Sequence, residues 1–255
     1  MGAEQPNDGS PIDGVARGLR DRLAALPPGR RHLGIFLATY LRTTEAVGAA
    51  VEQGIFEDPQ WVGRWDAAFA QLYLAALDAE LSSGARVPRP WRLAFDVDPG
   101  LPPLRHVLLG INAHINYDLP QALLETISDA DFEDAALMAR RRRDHERIDD
   151  LLGQRVAAED NRLASATSLT LLDRLLRPLN RRGSRMFLRE ARRKVWHNTV
   201  ELQMARLAGP AAFSARLAEL EVLSAARIAD LLQPGQVVLR LAAGGFGVKL
   251  PPPGA

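Results

Sequence analysis

The chain is 255 residues long, 47% hydrophobic and 25% charged, and its 32 Lys and Arg against 31 Asp and Glu leave a formal net charge of +1. That composition suits a folded globular protein and excludes a collagen, an acidic solvating tail and a wholly disordered chain. The absence of Cys removes disulfides, thiolate metal ligands, iron–sulfur ligation and cysteine nucleophiles, so any chemistry falls to His, carboxylates, Arg and hydroxyls.

Residues 1–11 are polar, with neither a basic start nor an apolar stretch, and are expected to form a disordered tail rather than a signal peptide. Beyond them Ala and Leu dominate, and apolar residues recur three and four apart, the period of a helix. Helices are expected over Ile12–Leu26, Arg31–Gln53, Pro59–Leu81, Leu104–Leu119 with a continuation to Ile127, Asp131–Leu152, Ser168–Leu179, Gly183–Leu207 and Pro210–Leu232. Pro27-Pro28-Gly29 stops the first, Asp58-Pro59 supplies a cap and a first-turn proline, and Asp129 or Asp131 caps the helix carrying the Arg run. The Pro-rich stretch Val87–Pro103 is expected to be a loop. Residues 236–241, QVVLRL, alternate loosely, so 236–255 is read as an extended C-terminal tail on a helical domain spanning 12–235. Without an internal repeat or a break in composition, the fold class is all-α: a single-domain bundle of about eight helices. The apolar windows carry a charge or fall short of the roughly 20 residues a spanning helix needs. The expectation is a cytoplasmic protein with no membrane partner.

The segment Arg105–Pro120, RHVLLGINAHINYDLP, is the most informative. From His106 to Tyr117 it has no formally charged residue, yet it holds two His, two Asn and a Tyr before reaching Asp118. At about 100° per residue, Leu104, Val107, Leu108, Ile111, Ile115 and Leu119 form one apolar arc, with Leu109 and Ala113 elsewhere, as in a helix buried on most sides. Asp118 falls inside the arc and His114 at its edge, with Asn112 and Asn116 flanking. A buried carboxylate must be paired, hydrogen-bonded or protonated. The cluster is therefore either a closed polar network or a site.

Three His have an acid four residues on: His114 with Asp118, His145 with Asp149, and His197 with Glu201. That spacing places imidazole and carboxylate on one helical face. His145 is expected on the apolar side of its helix, and His197 inward with Met186, Val200 and Met204. Three such helices would build one polar cavity. Zinc, iron or manganese takes His nitrogen and carboxylate oxygen ligands from facing helices and activates water, which makes a metal-dependent hydrolase or oxygenase one reading. Equally, each pair braces its own helix. In the favoured reading no cofactor is needed: Asp118 orients His114, and His145 is a second proton handler. Gly244-Gly245-Phe246-Gly247 lacks the strand–loop–helix setting of a phosphate loop.

Residues 140–194 carry 16 basic and 8 acidic side chains, net +8, leaving −7 for the rest. Of Arg140–Arg143, Arg141 has the best angle to face inward and bind a substrate's anionic group. A solvated surface pairing with acids is the plainer interpretation. The near-neutral balance and lack of a reader motif argue against nucleic acid. Trp61, Trp65, Trp91 and Trp196 are expected in the core or in a pocket wall, with Trp196, beside His197, a candidate rim residue.

The block LLGINAHINYDLP, with Asp144-His145 and then RKVWHN, resembles an all-helical actinobacterial family of unknown function, over about His32 to Leu207. The resemblance implies an all-α fold and no particular activity. Relatives carry Asn where this chain has Asp149, which shifts weight from that pair toward His114, Asp118, Asn112 and His145. In style the chain is also similar to helical enzymes of natural-product pathways, including those that close an aziridine by expelling sulfate. The expectation is an enzyme on a small polar or anionic molecule. His114, Asp118 and His145 would be catalytic, and Asn112, Asn116, Arg141 and Trp196 would bind substrate. A non-catalytic binding or assembly protein is the third reading, and no residue dictates an oligomeric state.

Overall fold

A computed structural model describes residues 10–82, 85–148, 171–234 and 245–253, with the backbone alone over 171–189. The chain order is α1 (Pro11–Ala25), a 3₁₀ turn (Pro28–Arg30), α2 (Leu33–Glu52), α3 (Pro59–Leu81), α4 (Arg89–Phe95) and α5 (Pro103–Ala113). A π-helical turn (His114–Asp118) then leads into α6 (Leu119–Thr126), followed by α7 (Asp129–Glu133), α8 (135–148), α9 (Leu171–Ala208) and α10 (Pro210–Leu232). No strand occurs among the described residues, and the fold is an all-α bundle. None of its described helices is long and apolar enough to cross a membrane.

Helix starts follow local chemistry. Ser10 accepts a hydrogen bond from Ile12 N–H at 3.3 Å, Asp58 accepts from Trp61 N–H at 2.9 Å, and Ser128 with Asp131 forms a capping box on α7. Asp144 on α8, fully buried, accepts from the backbone N–H groups of Glu57 and Asp58 at 2.8 Å each, which ties α8 to the start of α3. Between α9 and α10 the chain reverses at Gly209, whose φ of 118° side chains rarely adopt, and Pro210 opens the next helix.

Helix α1 packs on α2 and α3, α3 on α6, α6 on α9, and α10 against α4, α5 and α9. The main core gathers Trp61, Trp65, Tyr73, Leu77, Trp91 and Leu123; a smaller one joins Tyr117, Leu124, Leu202, Leu220 and Leu250. Burying a large apolar side chain is worth roughly 1.5–3 kcal/mol, so the aromatic centre is the main fastening of the bundle.

Three expectations change. The Val87–Pro103 stretch contains α4, because Pro90, Trp91, Ala94 and Phe95 form one buried stripe at helical spacing, with Pro88 at the N-cap and Pro90 in the first turn, where a proline is tolerated. Leu171–Ala208 is one continuous helix across the break predicted between Leu179 and Gly183; proline and glycine lower helix propensity without abolishing it. Leu104, assigned to the apolar arc, is 45% exposed, because it sits in the first turn of α5. The polar start at 1–9, Asp149 and the QVVLRL stretch lie outside the described residues.

Candidate functional site

The central helix changes winding where the polar cluster sits. Pro120 has no N–H to donate one turn back, and its ring crowds the carbonyl there. The ladder shifts by one residue, so Leu119 N–H bonds to His114 O and residues His114–Asp118 form a π turn. Such turns recur at functional sites. All five of its residues are buried.

His114 Nδ1 lies 2.9 Å from Asp118 Oδ2, which also accepts the Trp91 indole N–H at 2.8 Å. With Oδ2 receiving both contacts, the imidazole is assigned as the Nδ1–H tautomer and Nε2 carries the lone pair. Among the described residues Nε2 has no hydrogen-bond partner. His114 is 3% and Asp118 2% exposed. Burial pushes the imidazole well below its ordinary range and the Asp118 carboxyl well above its own, the latter opposed by the Trp91 hydrogen bond.

Aromatic rings enclose this dyad. Phe69 stacks on the imidazole at 3.5 Å between centroids, Tyr40 meets it edge-on at 4.5 Å, and Trp91, Tyr73 and Phe36 follow at 5.8, 5.9 and 6.1 Å. A Cβ on Gly110 would lie 2.4 Å from the Phe36 ring, so only glycine lets that ring sit where it does. Asp66 of α3 is 7% exposed; it and Asp118 both act on Tyr40 and raise its phenol, whose largest perturbation is burial. Among the described residues Asp66 Oδ2 and the Tyr73 hydroxyl have no hydrogen-bond partner. Burial raises Asp66 to about 7.

Phe36 and Trp91 have a second face. With His32, His106 and Phe95 they line a cleft of about 10 Å³, room for about one water. The two rings thus separate the His114–Asp118 dyad from that cleft.

The other expected residues lie elsewhere. Asn112 and Asn116 donate to Phe246 O at 3.3 and 3.2 Å, and Asn116 Oδ1 accepts Val248 N–H at 3.1 Å. They hold the segment 245–251 as a strap across the bundle. Asn198 brackets the same segment, donating to Val248 O and accepting Leu250 N–H at 3.0 and 2.9 Å, and His197 Nε2 lies 3.2 Å from Leu250 O. Glu201 pairs with Arg216 at 2.6 Å. His145 is buried between Trp65 and Trp196, at 5.4 and 5.6 Å, apart from the rings around His114. Arg141 is buried as expected, but its guanidinium bonds Asp58 at 2.5 Å and covers Trp61 at 4.7 Å. Val200 and Met204, expected inward beside His197, are exposed, Met204 at 61%. The inward stripe of α9 is Ala191, Val195, Asn198 and Leu202. Among the described residues no three His, Asp or Glu side chains gather as a metal-ligand set. The sequence reading missed Tyr40, Asp66, Phe69 and Tyr73. Asp66 carried the signal used for Asp118, a carboxylate next to the apolar side of a helix.

The chain matches a family described as a family of unknown function (DUF5995) over residues 12–234. It belongs to that family. No curated protein and no solved structure matches the chain. The family match covers every residue of the dyad and its aromatic enclosure, but not the strap, whose described part begins at Gly245.

Proposed function

We propose that the chain is a cytoplasmic enzyme that performs general acid–base chemistry on a small polar molecule, with His114 as the proton acceptor. The observation that carries this reading is the bare Nε2 of His114, buried while Nδ1 is fixed on Asp118. Most buried polar atoms in native proteins are satisfied. Here, among the described residues, Nε2 of His114, Oδ2 of Asp66 and the hydroxyls of Tyr40 and Tyr73 are not.

A neutral imidazole presenting Nε2 is in the right form to take a proton from a bound molecule. Asp118, held by Trp91, fixes the ring so that Nε2 keeps its aim. Asp66 is raised by burial to about 7, which leaves a carboxyl that can still hold a proton near neutrality. A base and an acid whose surroundings move them apart from their ordinary values is the arrangement expected of acid–base chemistry. Phe36 and Trp91 are shared between the ring cluster around His114 and the cleft at His32 and His106.

The test is differential turnover. Purified wild-type protein, His114→Gln and Asp118→Asn are incubated with a deproteinised metabolite extract, and small molecules are compared by mass spectrometry. The reading expects at least one compound consumed by wild type and spared by both folded variants. Identical profiles from all three would contradict it.

A further inference from the structure

We infer that the cleft between α2, α4 and α5 is a binding site for a late first-row divalent metal ion, of the zinc, nickel and copper class, held by Nδ1 of His32 and Nε2 of His106. The site is separate from the His114 dyad, and neither reading needs the other.

His32 caps the start of α2 and is half-buried; His106, in the first turn of α5, is 5% exposed. Both line the cleft of about 10 Å³. Each ring has one nitrogen anchored on the backbone. His32 Nε2 lies 3.3 Å from Phe95 O, and because a carbonyl only accepts, Nε2 carries the proton and Nδ1 the lone pair. His106 Nε2 has no hydrogen-bond partner among the described residues. The backbone of Pro99 and Leu101 hydrogen-bonds to the same ring; with Nε2 bare, those bonds are assigned to Nδ1–H, which leaves the lone pair on Nε2. An imidazole whose N–H rests on a backbone carbonyl while its other nitrogen stays bare is oriented as metal-ligating histidines are. Here two such rings share one cleft.

The spacing fits one ion. A metal–nitrogen bond of about 2.0–2.1 Å, with about 1.2 Å more from nitrogen to ring centre, puts each centroid about 3.2 Å from the metal. Two imidazoles on one ion then have centroids about 5.2 Å apart at a tetrahedral angle and at most about 6.4 Å apart in line. The His32 and His106 centroids are 5.8 Å apart. A cleft with room for about one water also has room for one ion. Burial and the neighbouring His32 hold His106 below its ordinary range, so a proton competes weakly for Nε2 at neutral pH, while Asp98 acts on the same ring with negative charge. Among the described residues no third His, Asp or Glu completes a ligand set, so water fills the remaining positions from the open side of the cleft. Imidazole donors select zinc, copper and nickel over hard ions such as magnesium, which take oxygen.

The experiment uses the full chain, untagged and stripped with a chelator, titrated by calorimetry with zinc chloride and nickel chloride, and with magnesium chloride at matched ionic strength. The expected result is one saturable site per chain for zinc or nickel and none for magnesium. Binding should be at least tenfold weaker in His32→Gln and in His106→Gln, and unchanged in His197→Gln, whose ring meets Leu250 O on the strap instead. His106→Gln alters a buried position; should it fail to fold, His32→Gln, at a half-buried one, decides. No saturable binding of either ion, equal binding of magnesium, an equal loss in His197→Gln, or wild-type affinity in folded His32→Gln overturns the inference.

Discussion

Replacing Asp66 by Asn is expected to make the protein more stable, increasingly so as pH rises. Asp66 titrates at about 7 in the folded chain against an ordinary 3.8, because burial penalises its charged form. Between those values the folded state holds a proton that the unfolded state has released, so stability falls as pH rises through that window and levels off above about 7. Each pH unit of difference is worth about 1.4 kcal/mol. The penalty is therefore roughly 2 kcal/mol at pH 5 and about 4 kcal/mol at pH 8. Asn preserves shape and stays neutral, so the advantage of Asp66→Asn over wild type should grow by about 2.5 kcal/mol between pH 5 and pH 8. His114, lowered by burial, adds stability with rising pH, and Asp118, raised by burial, removes it. Both are present in both proteins and cancel in the difference. Urea denaturation at the two pH values reads the effect directly. Parallel pH profiles for the two proteins would refute the claim that Asp66 is a buried, unpaired acid.

Two further substitutions probe the enclosure and the strap. Gly110→Ala places a Cβ 2.4 Å from the Phe36 ring and should cost about 1–3 kcal/mol by overpacking, with altered near-ultraviolet circular dichroism from the aromatic centre; unchanged stability and spectrum would contradict the packing described. Asn198→Ala removes the bonds to Val248 O and Leu250 N–H, and should speed tryptic cleavage after Lys249 several-fold, whereas equal rates would mean that the strap is held by other contacts.

The helical class was readable because Leu and Ala recur at helical spacing through α1, α2, α3 and α10, and because Asp58-Pro59 and Pro210 mark starts by chemistry that acts locally. Helix α4 was not readable in this way: Pro88 at its N-cap and Pro90 in its first turn resemble a loop signal, and only the burial of Trp91 and Phe95 against other helices shows why the turn is helical. In the site, His114 and Asp118 were legible because a charge on an apolar arc demands an explanation wherever it occurs. The partners of that pair come from α2, α3 and α4, and nothing in the local sequence of the central helix indicates that Tyr40, Phe69, Tyr73 and Trp91 converge there. Asn112 and Asn116 show the opposite limit. Their side chains face inward as polar residues in a buried helix must, but their partner is backbone more than 100 residues away, on the strap. Likewise His197 and Glu201 share a face of α9 at helical spacing, yet one meets Leu250 O and the other Arg216.

The most direct measurement is the protonation state of His114 by ¹⁵N NMR on histidine-labelled protein, assigned with His114→Gln, from pH 5.5 to 8. The account predicts a neutral ring throughout, with the proton on Nδ1 and a bare nitrogen at Nε2. A ring that becomes imidazolium near pH 6.5, or that carries its proton on Nε2, would contradict it.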